Sequence, residues 1–222
     1  GYVEVYGRYL QWPIEWHAAL EGACRELALE YLCTVYLADD VQVVEPYVKH
    51  FKVASFEATD CEFIRAHAPF VSPERDVLIS TGMCSAQELE FLVKTCLQPF
   101  NMLEHTKLLH CTSAYPAPLN ELNLAAIHAT GNLWKIVGYS DHSMPQHTST
   151  GALAVMAGAQ YLEAHLRLDD TNLANPDRNH AMTVKQFKSY VDRVREAESI
   201  LGSGVKEAQP CEKIMEQYRV RS

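Results

Sequence analysis

Short apolar runs recur along this chain at a regular interval. They begin near residues 31, 50, 76, 106, 135 and 159, a spacing of roughly 20 to 30 residues, which is the length of one strand plus one helix. The runs are EYLCTVYL (30 to 37), HFKVASFE (50 to 57), DVLISTG (76 to 82), TKLLHCTSAYP (106 to 116), KIVGYSDH (135 to 142) and AQYLEAHLRL (159 to 168). Helix-like segments lie between them at 40 to 48, 60 to 67, 85 to 97, 119 to 129 and 148 to 158, and a longer one follows at 184 to 201. Six βα units in series predict an α/β fold built on a parallel sheet.

Two architectures use such units, and the placement of polar residues chooses between them. An open doubly wound sheet gathers its site at one switch point, usually with a glycine-rich phosphate loop. Neither GxGxxG nor GxxxxGK[ST] occurs here, and instead nearly every run ends in residues capable of chemistry. That is the signature of a TIM-type (β/α) barrel, whose site is assembled from all its βα loops. A whole barrel takes eight strands in about 250 residues. With six units visible, the expectation is a partial barrel over residues 1–204, lacking the two units that would precede residue 31, and a charged tail or linker over 205–222. Residues 1 to 12 are ambiguous, with weak alternation in VEVY. From Pro13 the pattern is helical, with Trp16, Leu20, Ala23 and Leu27 on one stripe. An unclosed barrel exposes two sheet edges, so another copy of the chain or a preceding segment is expected to cover them, and a homo-oligomer, a dimer, is the expected state.

Composition enters here as a filter. A net charge of −9 argues against nucleic acid as the main partner, since phosphate backbones need clustered Lys and Arg. No apolar run approaches the ~18 residues of a membrane span, and the first residues lack a signal-peptide pattern, so a soluble cytoplasmic protein without membrane contact is expected. The seven cysteines are scattered, odd in number and never spaced CxxC; they read as reduced, mostly buried thiols, Cys111 among them.

Two groups of residues stand out at the strand ends. His142 and His165 close consecutive strands, with Asp141 and Glu163 beside them, and unbroken alternation through YLEAHLRL turns Glu163 and His165 to one face. Two imidazoles at one rim with acids nearby can hold a divalent metal; the alternative is two rim histidines bonded to loops. His147 and His180 read as residues of a helix start and a loop. The second group is suited to an anion. Lys52, Ser55, Ser80, Thr81, Ser113 and Tyr115 end three successive strands and together offer many hydrogen-bond donors, although each hydroxyl alone is more commonly a turn or cap. Asp169, Asp170 and Asp177 lie in a long loop leaving the last strand.

The motifs KVASFE, ISTGM, LLHCTSAYPAP, VGYSDH, EAH and NPD, in this order and spacing, resemble those of the sialic acid synthase family, which comprises the N-acylneuraminate, legionaminic acid and pseudaminic acid synthases. The resemblance runs from about Leu10 to Arg221. It implies a TIM barrel that condenses phosphoenolpyruvate with an N-acyl hexosamine to a nonulosonic, sialic-type acid and phosphate, using a divalent ion, Mn2+ ahead of Mg2+ or Co2+. By position it implies His142 and His165 as metal ligands, and Lys52, Ser55, Ser80, Ser113 and Tyr115 as the phosphoenolpyruvate pocket. Glu163 and Asp141 are the acids expected at the reacting centre, and Asp177 is expected near the sugar or a metal-bound water. Against that pattern, no counterpart is found within these 222 residues of an acid on the first barrel strand, a lysine on the second or a C-terminal antifreeze-like domain. CTVY replaces an STPF-like strand end, and DRNH stands where many relatives have DH. The other readings are a non-catalytic barrel that binds metal or phosphoenolpyruvate, or a subunit completed by another chain, and a different metal-dependent aldolase on the same fold.

Overall fold

The computed structural model describes residues 12–128 and 136–220. The weak alternation of VEVY, the last residue of the expected helix at 119 to 129 and the first residue of KIVGYSDH lie outside them. Six parallel strands pair in sequence order: β1 (Leu32–Thr34), β2 (His50–Val53), β3 (Val77–Ser80), β4 (Thr106–Cys111), β5 (Ile136–Asp141) and β6 (Tyr161–Ala164). The helices that return the chain are α1 (Glu15–Glu26), α2 (Ala38–Val44), α3 (Cys61–Arg65), α4 (Ala86–Phe91), continued by a π turn at Leu92–Leu97, and α5 (Thr150–Met156). Among the described residues β1 and β6 remain the two edges, so this is a run of barrel wall and not a closed ring.

Strand parity assigns the two faces. Phe51, Val53, Val77, Ile79 and Tyr139 pack fully buried against the helices and make the main core. The opposite face carries Lys52, Ser80, Ser140 and Glu163, with Lys52 in register with Leu78, Cys111 with Ser140, and Ser140 with Glu163. Each polar side chain lies at or near the C-terminal end of its strand, where the barrel reading expected it.

Three local expectations are revised. The last run is not one strand: β6 stops at Ala164, and β7 (Leu166–Arg167) pairs instead with β8 (Met182–Thr183) in a separate two-stranded sheet. The Trp16, Leu20 and Leu27 stripe of α1 is exposed, and the helix buries His17, whose Nδ1 lies 2.9 Å from the Tyr31 hydroxyl. Cys61 and Cys96 are not separate thiols; they form a disulfide between α3 and the π turn, with Cα atoms 4.9 Å apart. Sequence spacing could not show this, because a separation of 35 residues says nothing of which helix faces meet. Cys111 is buried, as expected.

After β8, α6 (Val184–Leu201) starts at Thr183, whose side chain forms a reciprocal capping box with Gln186, and packs on α5. Beyond Gly202 the chain to residue 220 is exposed, with one 3-10 segment at Pro210–Tyr218. Among the described residues no helix is long and apolar enough to cross a membrane.

Candidate active site

The inner face of the wall brings together side chains far apart in sequence. Lys52 is buried, and its Nζ donates to Ser80 Oγ at 2.8 Å and to the Val53 carbonyl at 2.9 Å, while lying 3.7 Å from Glu163 Oε2. The same Glu163 oxygen accepts from Ser140 Oγ and, at 3.5 Å, from Ser80 Oγ. Burial pushes the Lys52 ammonium below its ordinary pKa, and the Glu163 charge opposes that shift. A desolvated cation with a carboxylate to one side is an economical device for holding an anion, because any further negative oxygen that approaches meets a weakly hydrated charge.

A floor of small groups lies beside it. Ser55, on the 3-10 turn after β2, accepts the Gly82 backbone N–H at 3.1 Å and sits 3.1 Å from Cys111 Sγ, which is itself 3.7 Å from Ser113 Oγ. Thr81 is spent on structure, since both its N–H and its hydroxyl donate to the Leu109 carbonyl.

The second cluster is aromatic and imidazole. The His142 ring lies 4.3 Å from Tyr115 and 5.3 Å from His165, and His165 lies 4.6 Å from His180, centroid to centroid. His142 Nδ1 is 3.0 Å from the Thr112 carbonyl; donating there leaves Nε2 as a lone-pair nitrogen, the arrangement in which a histidine ligates a cation. Asp177 closes the cluster, with Oδ2 3.4 Å from His165 Nδ1 and Oδ1 3.7 Å from His180 Nε2. The His165 contact is the main cause holding the Asp177 carboxyl below its ordinary pKa. Burial lowers His142 and His180 toward the neutral form that binds metal. One ligand atom each from His165, Asp177 and His180 lie within 4.8 Å of one another, a donor set that fits a divalent cation.

Local structure explains how Asp177 and His180 arrive there. The Asn175 side chain caps a short 3-10 turn (Pro176–Asn179) by accepting the Asp177 N–H at 2.9 Å, and Arg178 donates to the Thr171 carbonyl. The Met182 N–H then bonds to the His165 carbonyl at 2.8 Å, and β7–β8 pairing continues from it. The long loop is folded back so that its end faces the residue at which β6 broke.

Comparison with known proteins fixes the ancestry of this site. The NeuB family profile matches residues 2–206. The chain belongs to the NeuB family. It is 30% identical over 205 residues to the N,N'-diacetyllegionaminic acid synthase of Campylobacter jejuni, a match covering 91% of this chain and 60% of that protein. To the enzyme of the same name from Legionella pneumophila it is 33% identical over 195 residues, covering 86% and 53%. Among solved structures, the N-acetylneuraminic acid synthetase of Leptospira borgpetersenii superimposes with a TM-score of 0.84 at 26% identity, over 94% of this chain and 70% of that one. This NeuB-family chain therefore spans between about half and three fifths of the length of these curated relatives.

Within the NeuB-family chain, nine of the ten expected site residues, Lys52, Ser55, Ser80, Ser113, Tyr115, His142, Glu163, His165 and Asp177, fall in these two adjoining clusters. Asp141 does not. It lies on the outer face of β5, where Oδ1 accepts from the Tyr139 hydroxyl at 3.2 Å and the Ser143 N–H at 2.9 Å, and Oδ2 accepts from Thr150. Both oxygens are engaged in tying the loop after β5 to the start of α5, so Asp141 is a loop anchor and not an acid of the site. His180, expected as a plain loop residue, is the member that sequence reasoning missed. Its sequence signals were its position three residues after Asp177 and the place of DRNH where many relatives have DH.

Buried histidines also set a pH response. His67 is fully buried between Phe51 and Phe63, and burial lowers its pKa, as it does those of His142 and His180. Because the folded-state values lie below the unfolded one of about 6.5, the unfolded chain binds more protons just below that pH. Stability is therefore full above pH 6.5 and falls as pH drops through the unfolded value toward the folded ones. Urea midpoints of chelator-treated protein should decrease from pH 7.5 to 5.5; a constant or rising midpoint contradicts this account.

Proposed function

We propose that this chain carries the reaction face of a synthase that joins phosphoenolpyruvate to an N-acyl hexosamine, giving a nonulosonic acid and phosphate. The observation that supports it most is the adjacency of a buried cation–carboxylate pair, Lys52 and Glu163, to a cluster of histidines at one end of a NeuB-family barrel wall. The reaction needs an anion pocket and an electrophile-activating centre side by side, and the two clusters supply one each.

In this reading the Lys52 ammonium and the hydroxyls of Ser55, Ser80 and Ser113 hold the carboxylate and phosphate of phosphoenolpyruvate, with Tyr115 bordering both substrates. His142 and His165, with Asp177 beside them, face the sugar's aldehyde. Those residues would hold a divalent ion, Mn2+ ahead of Mg2+ or Co2+, which would supply Lewis acidity for the aldehyde. Carbon–carbon bond formation through the terminal enol carbon leaves positive charge on the carbon that bears the phosphate ester, and the Glu163 carboxylate is the fixed negative group placed to stabilise it and to take the proton of the water that adds there. Phosphate then departs with its bridging oxygen. The reading includes a cytoplasmic homodimer, in which a second copy covers the open edges.

Incubating the chain with phosphoenolpyruvate, N-acetylmannosamine and Mn2+ should release inorganic phosphate in equal amount to the new 2-keto-acid product, with no release when the sugar is left out. A second reading draws on the partial span of the relatives' length: a wall that binds phosphoenolpyruvate and metal without turnover. Calorimetric binding of phosphoenolpyruvate with no product, across several N-acyl hexosamines, would select it.

A further inference from the structure

We propose that His180 is itself a metal ligand, so that the ion is held by His165, Asp177 and His180 with His142 completing the rim. This rests on the metal-dependent reading above and goes beyond it by naming a ligand that the reading did not assign.

The first argument is an unmet need. The His180 side chain is only 2% exposed, and neither ring nitrogen has a hydrogen-bond partner. A buried polar group left unsatisfied costs about 1–3 kcal/mol, and such groups in folded proteins call for a ligand, water or ion. His67 offers the contrast within the same chain. It too is buried and its Nε2 is unpartnered, yet its Nδ1 bonds to the Phe63 carbonyl at 3.1 Å, and its ring neighbours are the phenyl rings of Phe51 and Phe63 with no carboxylate or second imidazole among them. It is a core histidine; His180 has both nitrogens uncommitted and a carboxylate 3.7 Å from one of them.

The second argument is convergence. His165, Asp177 and His180 present ligand atoms within 4.8 Å of one another, and the His165 and His180 rings meet edge to face at 71° with centroids 4.6 Å apart. The backbone builds this on purpose: the capped turn at Pro176–Asn179 and the β7–β8 pairing each fix one side of His180. Two or three imidazoles with one carboxylate form a nitrogen-rich set, which raises intrinsic affinity for Co2+ and Zn2+ relative to Mn2+ and Mg2+ more than a site with fewer nitrogens does, whereas the ion used in the cell follows availability, so Mn2+ as the working ion is compatible with it.

The test is calorimetric titration of the chelator-treated 222-residue chain with Co2+, Zn2+ and Mn2+, comparing wild type with His180→Phe and His180→Asp. His180→Phe keeps an aromatic ring and should weaken Co2+ and Zn2+ binding by about tenfold or more, with a smaller loss for Mn2+. His180→Asp exchanges a nitrogen donor for oxygen and should lower the ratio of Co2+ to Mn2+ affinity by about tenfold, a change that a merely structural histidine would not produce. Affinities within about twofold of wild type for all three ions in His180→Phe overturn the assignment, as does an unchanged Co2+ to Mn2+ ratio in His180→Asp, or a wild type that binds none of the ions. If His180→Phe fails to fold by near-ultraviolet circular dichroism, the His180→Asp ratio decides. Phosphate release by wild type is measured separately: release alongside unchanged metal affinities in the variants removes His180 and keeps the synthase, whereas lost affinity without any release keeps the ligand set and removes the reaction.

Discussion

Lys52→Met should lower phosphate release by at least about 10²- to 10³-fold while leaving the protein as stable as wild type within about 1–2 kcal/mol. The two halves of that expectation come from one fact. Lys52 is a cation taken out of water, and burial already presses its pKa down. An isosteric apolar side chain removes that desolvation cost, and the neighbouring Glu163 is 38% exposed and keeps its bonds from Ser140 and Ser80, so the fold loses little. The anion pocket, by contrast, loses its only full positive charge among the residues assigned to it. Lys52→Arg should not rescue: a planar guanidinium cannot reproduce a point charge whose donors reach Val53, Ser80 and Glu163 together. The measurements are initial rates of phosphate release and urea unfolding of both variants. A large loss of stability with an unchanged rate per folded molecule would mean that the lysine serves the fold instead of the reaction.

Gly82→Ala should cost about 1–3 kcal/mol of stability and impair the same pocket. A Cβ at this position would lie 2.1 Å from Ser113 Oγ, 2.6 Å from Cys111 Sγ and 3.0 Å from Ser55 Oγ. The Ser113 hydroxyl can rotate away, but Cys111 and Ser55 contact each other at 3.1 Å, and Ser55 accepts the Gly82 N–H, so relief at one atom is pressed onto the next. The glycine is thus required by close approach, not by its backbone angles. Adding Ser113→Ala should recover part of the loss, since it removes the nearest clash. If the two substitutions cost simply the sum of their separate effects in denaturant unfolding, the contact proposed here is absent.

Physical period decided how much of this could be read in advance. A βα rhythm of 20 to 30 residues and polar strand ends placed the wall and its rim, and residues on one strand face, such as Lys52 and Glu163, were legible singly. Parity also carried information against Asp141. It ends β5 directly before His142, so along the extended chain the two point to opposite sides, and the structure puts Asp141 among Tyr139, Ser143 and Thr150. The break after Ala164 was hidden because β7 continues the alternation of YLEAHLRL while pairing with a different strand.

Backbone periodicity is local, so the succession of the strands and most of the side chains that they bring to the rim could be read along the chain, Asp141 excepted. That Lys52 meets Glu163 across 111 residues, that Cys61 reaches Cys96, and that a loop folds back to set His180 beside His165 became visible in the folded chain alone. Those are contacts between elements, and they depend on crossing geometry and loop closure that no local spacing encodes.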